Sequence, residues 1–176
     1  MFRLLAVGLV GALSAAASAE VVMGLDHDRL ATQAQVGALA TAPVAEVARP
    51  APAQGEIGEV VKGADGHYWA DGAVNGQTVR FLVDTGATAV TLTANDAQRL
   101  GLTPATLSYD LKMSTANGES RAARVKLASI SVAGAEVTDV DAVVVESGLQ
   151  TSLLGMTYLG RLSQFEATQT SLILHP

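Results

Sequence analysis

The chain has 176 residues, a formal net charge of −6 and no cysteine, which excludes disulfides, thiolate nucleophiles and cysteine-ligated metals. Apolar residues make up 49% of it and aromatic residues only 4%, so a core of aliphatic side chains and alanine is expected. No run of Lys or Arg supplies the basic stripe that nucleic-acid binders carry, and nucleic acid is not expected as a partner.

Met1-Phe2-Arg3 brings one positive charge, Leu4 to Ala17 is uncharged and mostly apolar, and Ala17-Ser18-Ala19 has small residues where signal peptidase inspects them. Residues 1–19 are expected to form a signal peptide, or an anchor helix that leaves residues 4–19 as a membrane tether. Either outcome exports the remainder to the periplasm, free or anchored to the inner membrane. Residues 20–56 read as a flexible Ala/Pro-rich linker, extended over Arg49 to Gly55, with room for a short helix between Asp28 and Leu39.

From Ile57 the pattern changes to short β-prone runs separated by turn signals, and residues 57–176 are expected to fold as one all-β domain. His67 to Val74 and Gln77 to Asp84 pair about Asn75-Gly76, a two-residue hairpin signal, with Val79, Phe81 and Val83 on one face. Thr88 to Leu92 is a further strand. A helix follows, with Thr93 as its N-cap, Asp96 three residues on where a carboxylate meets free amides, and Gly101 as its stop. Residues 109–116 and 119–127 form a hairpin about Asn117-Gly118, and Ser129 to Val132 pairs with Glu136 to Val145 about Ala133-Gly134. Met156 to Leu162 reads as a short helix, and Phe165 to Ala167 and Leu172 to Leu174 as the last strands. Asp65-Gly66 and Asp71-Gly72 read as turns or bulges.

Phe81-Leu82-Val83-Asp84-Thr85-Gly86-Ala87-Thr88 is the segment that carries chemistry. Three apolar residues lead a strand inward, and a carboxylate then appears. Burying an acid is costly without hydrogen bonds. Gly86 allows a sharp turn that aims its amide at Asp84, and the hydroxyls of Thr85 and Thr88 can donate. His27, His67 and His175 show no ligand spacing, so neither a metal site nor any other cofactor is expected. Ser152 lacks the Gly-x-Ser-x-Gly context of a serine nucleophile.

Asp84-Thr85-Gly86-Ala87-Thr88 is similar to the active-site motif of aspartic proteases. Leu153-Leu154-Gly155, about 70 residues downstream, resembles the family's second element of two apolar residues and a glycine. Leu153-Leu154-Gly155-Met156-Thr157-Tyr158-Leu159 resembles the signature of bacterial retropepsin-like proteases with an N-terminal export segment. The resemblance runs in order from Ile57 to His175. It implies a closed β-barrel half-domain with one or two short helices, Asp84 as the catalytic carboxylate, and Leu153-Leu154-Gly155 packed beneath its loop. It also implies a flap about Asn117-Gly118, although family flaps often carry more glycine.

Aspartic proteolysis needs two carboxylates sharing one proton. One Asp-Thr-Gly per chain therefore implies a C2 homodimer in which two copies of Asp84 meet. The implied substrate is an extended polypeptide, and the implied optimum lies below neutral pH. The alternative is a peptide-binding or dimerising envelope module that uses the same fold without cutting.

Overall fold

The computed structural model describes residues 50–115 and 118–176. The signal or anchor segment, most of the linker and Asn117 lie outside the described residues. The strands are β1 (Gln54–Gly55), β2 (Gly58–Val61), β3 (Trp69–Val74), β4 (Gln77–Val83), β5 (Val90–Leu92), β6 (Leu111–Thr115), β7 (Gly118–Val132), β8 (Ala135–Val145), β9 (Ser152–Leu154), β10 (Gln164–Ala167) and β11 (Ser171–His175). Helix α1 spans Ala94–Arg99 and α2 spans Met156–Leu159, with a 3-10 turn at Pro104–Thr106.

Six strands pair in a ring, β8-β5-β9-β4-β3-β7, and β7 pairs again with β8 to close it. Closure removes the free edges that an open sheet would present. The expected all-β barrel is therefore observed. Its interior is aliphatic, as the composition requires: Val74, Val79, Leu92, Leu127, Ile130, Val132, Val140, Val144 and Leu154 are buried, with Phe81 as the large ring among them. A separate antiparallel sheet, β10-β11-β2, joins the two ends of the domain.

Local chemistry accounts for the connections. Asn75 and Gly76 both have positive φ, 49° and 82°, which suits the tight turn between β3 and β4. Ala133 and Gly134 do the same between β7 and β8, at 48° and 93°. Thr93 caps α1, its hydroxyl accepting from the Asp96 amide at 3.0 Å, and Gly101 follows the helix at φ 81°. The Asp96 carboxylate itself turns away from the free amides and bonds with Ser152 and Arg99 instead.

Several expectations need correction. Gly72 is no bulge: Asp71 and Gly72 pair regularly with Arg80 and Val79. A Cβ at Gly72 would come within 3.1 Å of the Phe81 ring and of Val132, so the glycine makes room for the buried Phe81 ring. β7 is one strand of 15 residues rather than two. Its ladder with β8 skips only Ala128 and Asp139, where Asp139 takes φ 50°. Residues 53–55, expected as the end of a linker, are instead packed and paired. Ala53 is buried, Gln54 and Gly55 pair with Glu136 and Ala135, and the Arg161 side chain donates to the Ala51 carbonyl at 2.9 Å. This short strand satisfies backbone groups of β8 that the barrel leaves unpaired.

Candidate active site

β4 and β9 run parallel, with Phe81, Leu82 and Val83 opposite Ser152, Leu153 and Leu154. Asp84 stands where β4 ends, and its amide donates to the Leu154 carbonyl at 3.2 Å. The chain then turns at once. The Gly86 amide donates to Asp84 Oδ1 at 2.8 Å, and the Ala87 amide donates to the Asp84 carbonyl at 3.2 Å. The carboxylate is thereby aimed by its own loop.

Leu153-Leu154-Gly155 passes between the two limbs of that loop. Leu153 pairs with Thr91 on the far limb, and the buried Leu154 holds the near one. Beyond them the Met156 amide donates to the Ala87 carbonyl at 2.9 Å, and the Val90 amide donates to Thr157 Oγ1 at 2.8 Å. Gly155 approaches so closely that a Cβ there would lie 2.3 Å from the Ala89 carbonyl oxygen and 2.6 Å from that of Ala87. The two sequence elements singled out above are thus one interlocked unit.

The carboxylate is half-buried rather than enclosed. Thr85 and Thr88 are exposed, and among the described residues only the Gly86 amide donates to the Asp84 carboxylate. Neither expected hydroxyl donates to it, and Asp84 borders an open cleft. That cleft has a volume of about 610 Å³. Leu82, Ala87, Ala89, Val143, Leu149 and Leu153 line it with apolar surface, Thr88 and Thr91 also border it, and Asp84 is the one charged residue lining it.

Met113 and Ser114 of β6 also line the cleft, so the β6–β7 hairpin stands beside Asp84 where a flap was expected. Gly118 opens β7 and pairs with Thr115, which makes it a strand residue rather than the centre of the turn. Among the described residues no cluster of three or more His, Cys, Asp or Glu could hold a metal.

Sequence reasoning missed Thr157, Met113, and the bond between Asp96 and Ser152. Thr157 and Met113 act across 67 residues or through a cleft wall, and no local pattern announces them. Ser152 had one available signal, its place directly before Leu153-Leu154-Gly155.

Comparison with known proteins agrees with this geometry. Residues 70–161 match the model of the "gag-polyprotein putative aspartyl protease" family. The crystal structure of a retropepsin-like aspartic protease from Rickettsia conorii is similar over 68% of this chain and 98% of that one, with a TM-score of 0.62 and 37% sequence identity. An uncharacterized protein of Rickettsia prowazekii (strain Madrid E) is 39% identical over 122 residues, which is 68% of this chain and 52% of that protein. An uncharacterized protein from the cobV 5' region of Sinorhizobium sp is 39% identical over 103 residues, 58% of this chain and 44% of that one. The chain thus spans about half the length of the curated relatives it matches. The interlocked Asp84 loop, the closed barrel and these matches together show that the chain belongs to the gag-type aspartyl protease family and has a retropepsin-like fold.

Proposed function

We propose that the chain is an aspartic endopeptidase whose working form is a homodimer with Asp84 contributed by each protomer. The observation that carries this reading is the Asp84 carboxylate, aimed by the Gly86 amide into an otherwise uncharged cleft. One such carboxylate is half of the required pair. In the dimer one Asp84 takes a proton from the attacking water, whose oxygen adds to the peptide carbonyl carbon. The other, protonated, donates to the carbonyl oxygen. This step needs one ionised and one protonated carboxylate in the pair.

Two features favour a second copy as partner. Thr85 is exposed next to Asp84, free of the carboxylate it was expected to serve. At the edge of the terminal sheet, β2 carries Val61, 70% exposed, and is preceded by Ile57, 65% exposed. The substrate is an extended polypeptide with uncharged, mainly aliphatic side chains next to the scissile bond, as the cleft lining demands. Export across the cytoplasmic membrane is proposed on the sequence of residues 1–19 alone.

The test is cleavage of a diverse peptide mixture by the full chain and by Asp84→Asn across pH 3 to about 8. Cleavage by the native chain alone supports the proposal. Equal cleavage by both removes Asp84 from the mechanism. Binding without cleavage by a folded, dimeric chain would favour a peptide-binding module.

A further inference from the structure

Asp96 and Ser152 lie 56 residues apart and were read separately, one as a helix-start carboxylate and the other as a serine without context. The structure joins them. Ser152 is fully buried at the start of β9. Its hydroxyl accepts from the Thr93 amide at 3.1 Å and donates to the Asp96 carboxylate. Asp96 in turn holds the Arg99 guanidinium on its outer side, and its side chain is only 15% exposed. The hydroxyl has thereby used its one proton and one of its lone pairs.

β9 consists of Ser152, Leu153 and Leu154. Leu154 faces the core and Leu153 the cleft. A slip by one residue exchanges the two faces of a strand. Here it would bring Ser152 or Gly155 to a place that a leucine now fills, and Leu154 or Met156 to the place of Gly155, where a Cβ has no room. The slip would also strip Ser152 of both partners and leave an Asp96 oxygen and the Thr93 amide unsatisfied, so the bond acts together with the close fit of Gly155. Register matters at this strand because Asp84, Ala87 and Ala89 are all held by the residues that follow Ser152.

We infer that Asp96 and Ser152 are positioning residues for Asp84, anchoring the start of β9 and, through Leu153-Leu154-Gly155, the loop that aims the carboxylate. The consequence for turnover rests on the protease reading proposed above; the consequence for the loop does not.

The test combines amide exchange with kinetics on the full chain, for the native protein, Ser152→Ala and Asp96→Asn. The Asp84, Ala87 and Met156 amides, which donate to Leu154, Asp84 and Ala87, report the loop. The Ile130 amide in the β7–β8 ladder reports the barrel. In Ser152→Ala the three loop amides should lose protection by about tenfold or more while Ile130 keeps its own. The same variant should lose about 10- to 100-fold in kcat with little change in KM, as expected when a reacting group is misplaced and binding is not. Asp96→Asn keeps an acceptor for Ser152 and should show smaller changes in the same direction; it decides the matter if Ser152→Ala does not fold. Unchanged loop protection, or a fall shared equally by Ile130, overturns the inference. So does local loss of protection with kcat unaltered. If the native chain cuts no peptide, the protease reading fails separately and the exchange result still decides the role of the pair in the loop.

Discussion

Gly155→Ala is the substitution whose effect the structure defines most sharply. Gly155 has φ −94°, an ordinary backbone conformation, so alanine brings no torsional strain. The whole cost is space. The added Cβ would sit 2.3 Å from the Ala89 oxygen and 2.6 Å from the Ala87 oxygen, about 1 Å inside ordinary contact on both. Neither neighbour is the tip of a flexible side chain. Both are backbone of the Asp84 loop, and the Ala87 oxygen also accepts from Met156. Either the loop or β9 must therefore move by about that distance. Overpacking of this kind costs about 3 kcal/mol where backbone has to shift. A displacement of about 1 Å at a reacting group lowers turnover by about 100-fold. Urea unfolding read by circular dichroism would measure the first, and initial rates on a cleavable peptide the second. An unchanged unfolding midpoint with kcat within about twofold of native would refute the interlocking described here.

Further expectations concern single groups. Asp84→Asn should abolish cleavage and leave stability within about 1 kcal/mol, because an amide oxygen can still accept from Gly86; thermal melts beside activity assays check this. Burial pushes the Asp96 carboxyl up, but hydrogen bonds with Ser152, Arg99 and Thr93 and the charge of Arg99 outweigh it and hold the group below its ordinary 3.8. Its contribution to stability is therefore present above pH 3.8 and lost as pH falls through the lower, folded value. The difference in melting temperature between native protein and Asp96→Asn should shrink below that pH, and a difference that grows on acidification would contradict the assignment. Tyr158→Phe should destabilise by about 1–3 kcal/mol in denaturant titrations, since the buried Ala135 carbonyl loses the phenol that donates to it at 2.8 Å.

Features encoded within a few residues were legible before the structure. Asn75-Gly76 and Ala133-Gly134 specify their turns through positive φ, and Thr93 with Gly101 brackets α1. Asp84 stood out because a carboxylate directly after Phe81-Leu82-Val83 demands a local device such as the Gly86 amide. Features that depend on distant partners were not legible. Gln54–Gly55 became a strand because β8 had unpaired backbone to offer, whereas its own composition read as linker. Gly72 looked like a bulge until Phe81 was placed against it. Thr85 and Thr88 were assigned to the carboxylate from their nearness in sequence, yet both are exposed and neither donates to it, although Thr88 lines the same cleft. The place of Ser152 before Leu153-Leu154-Gly155 was visible, but its bond with Asp96 was not, since it exists only once β9 lies between β4 and β5.

In the proposed dimer two copies of Asp84 form one catalytic pair. Subunit mixing tests it most directly: total chain concentration is held constant while Asp84→Asn chains, unfolded and refolded together with native ones, replace an increasing fraction of them. Mixed dimers carry one carboxylate and should be inactive, so activity is predicted to fall with the square of the native fraction. A fall in simple proportion to the native fraction would show that each chain acts alone and would contradict the shared site.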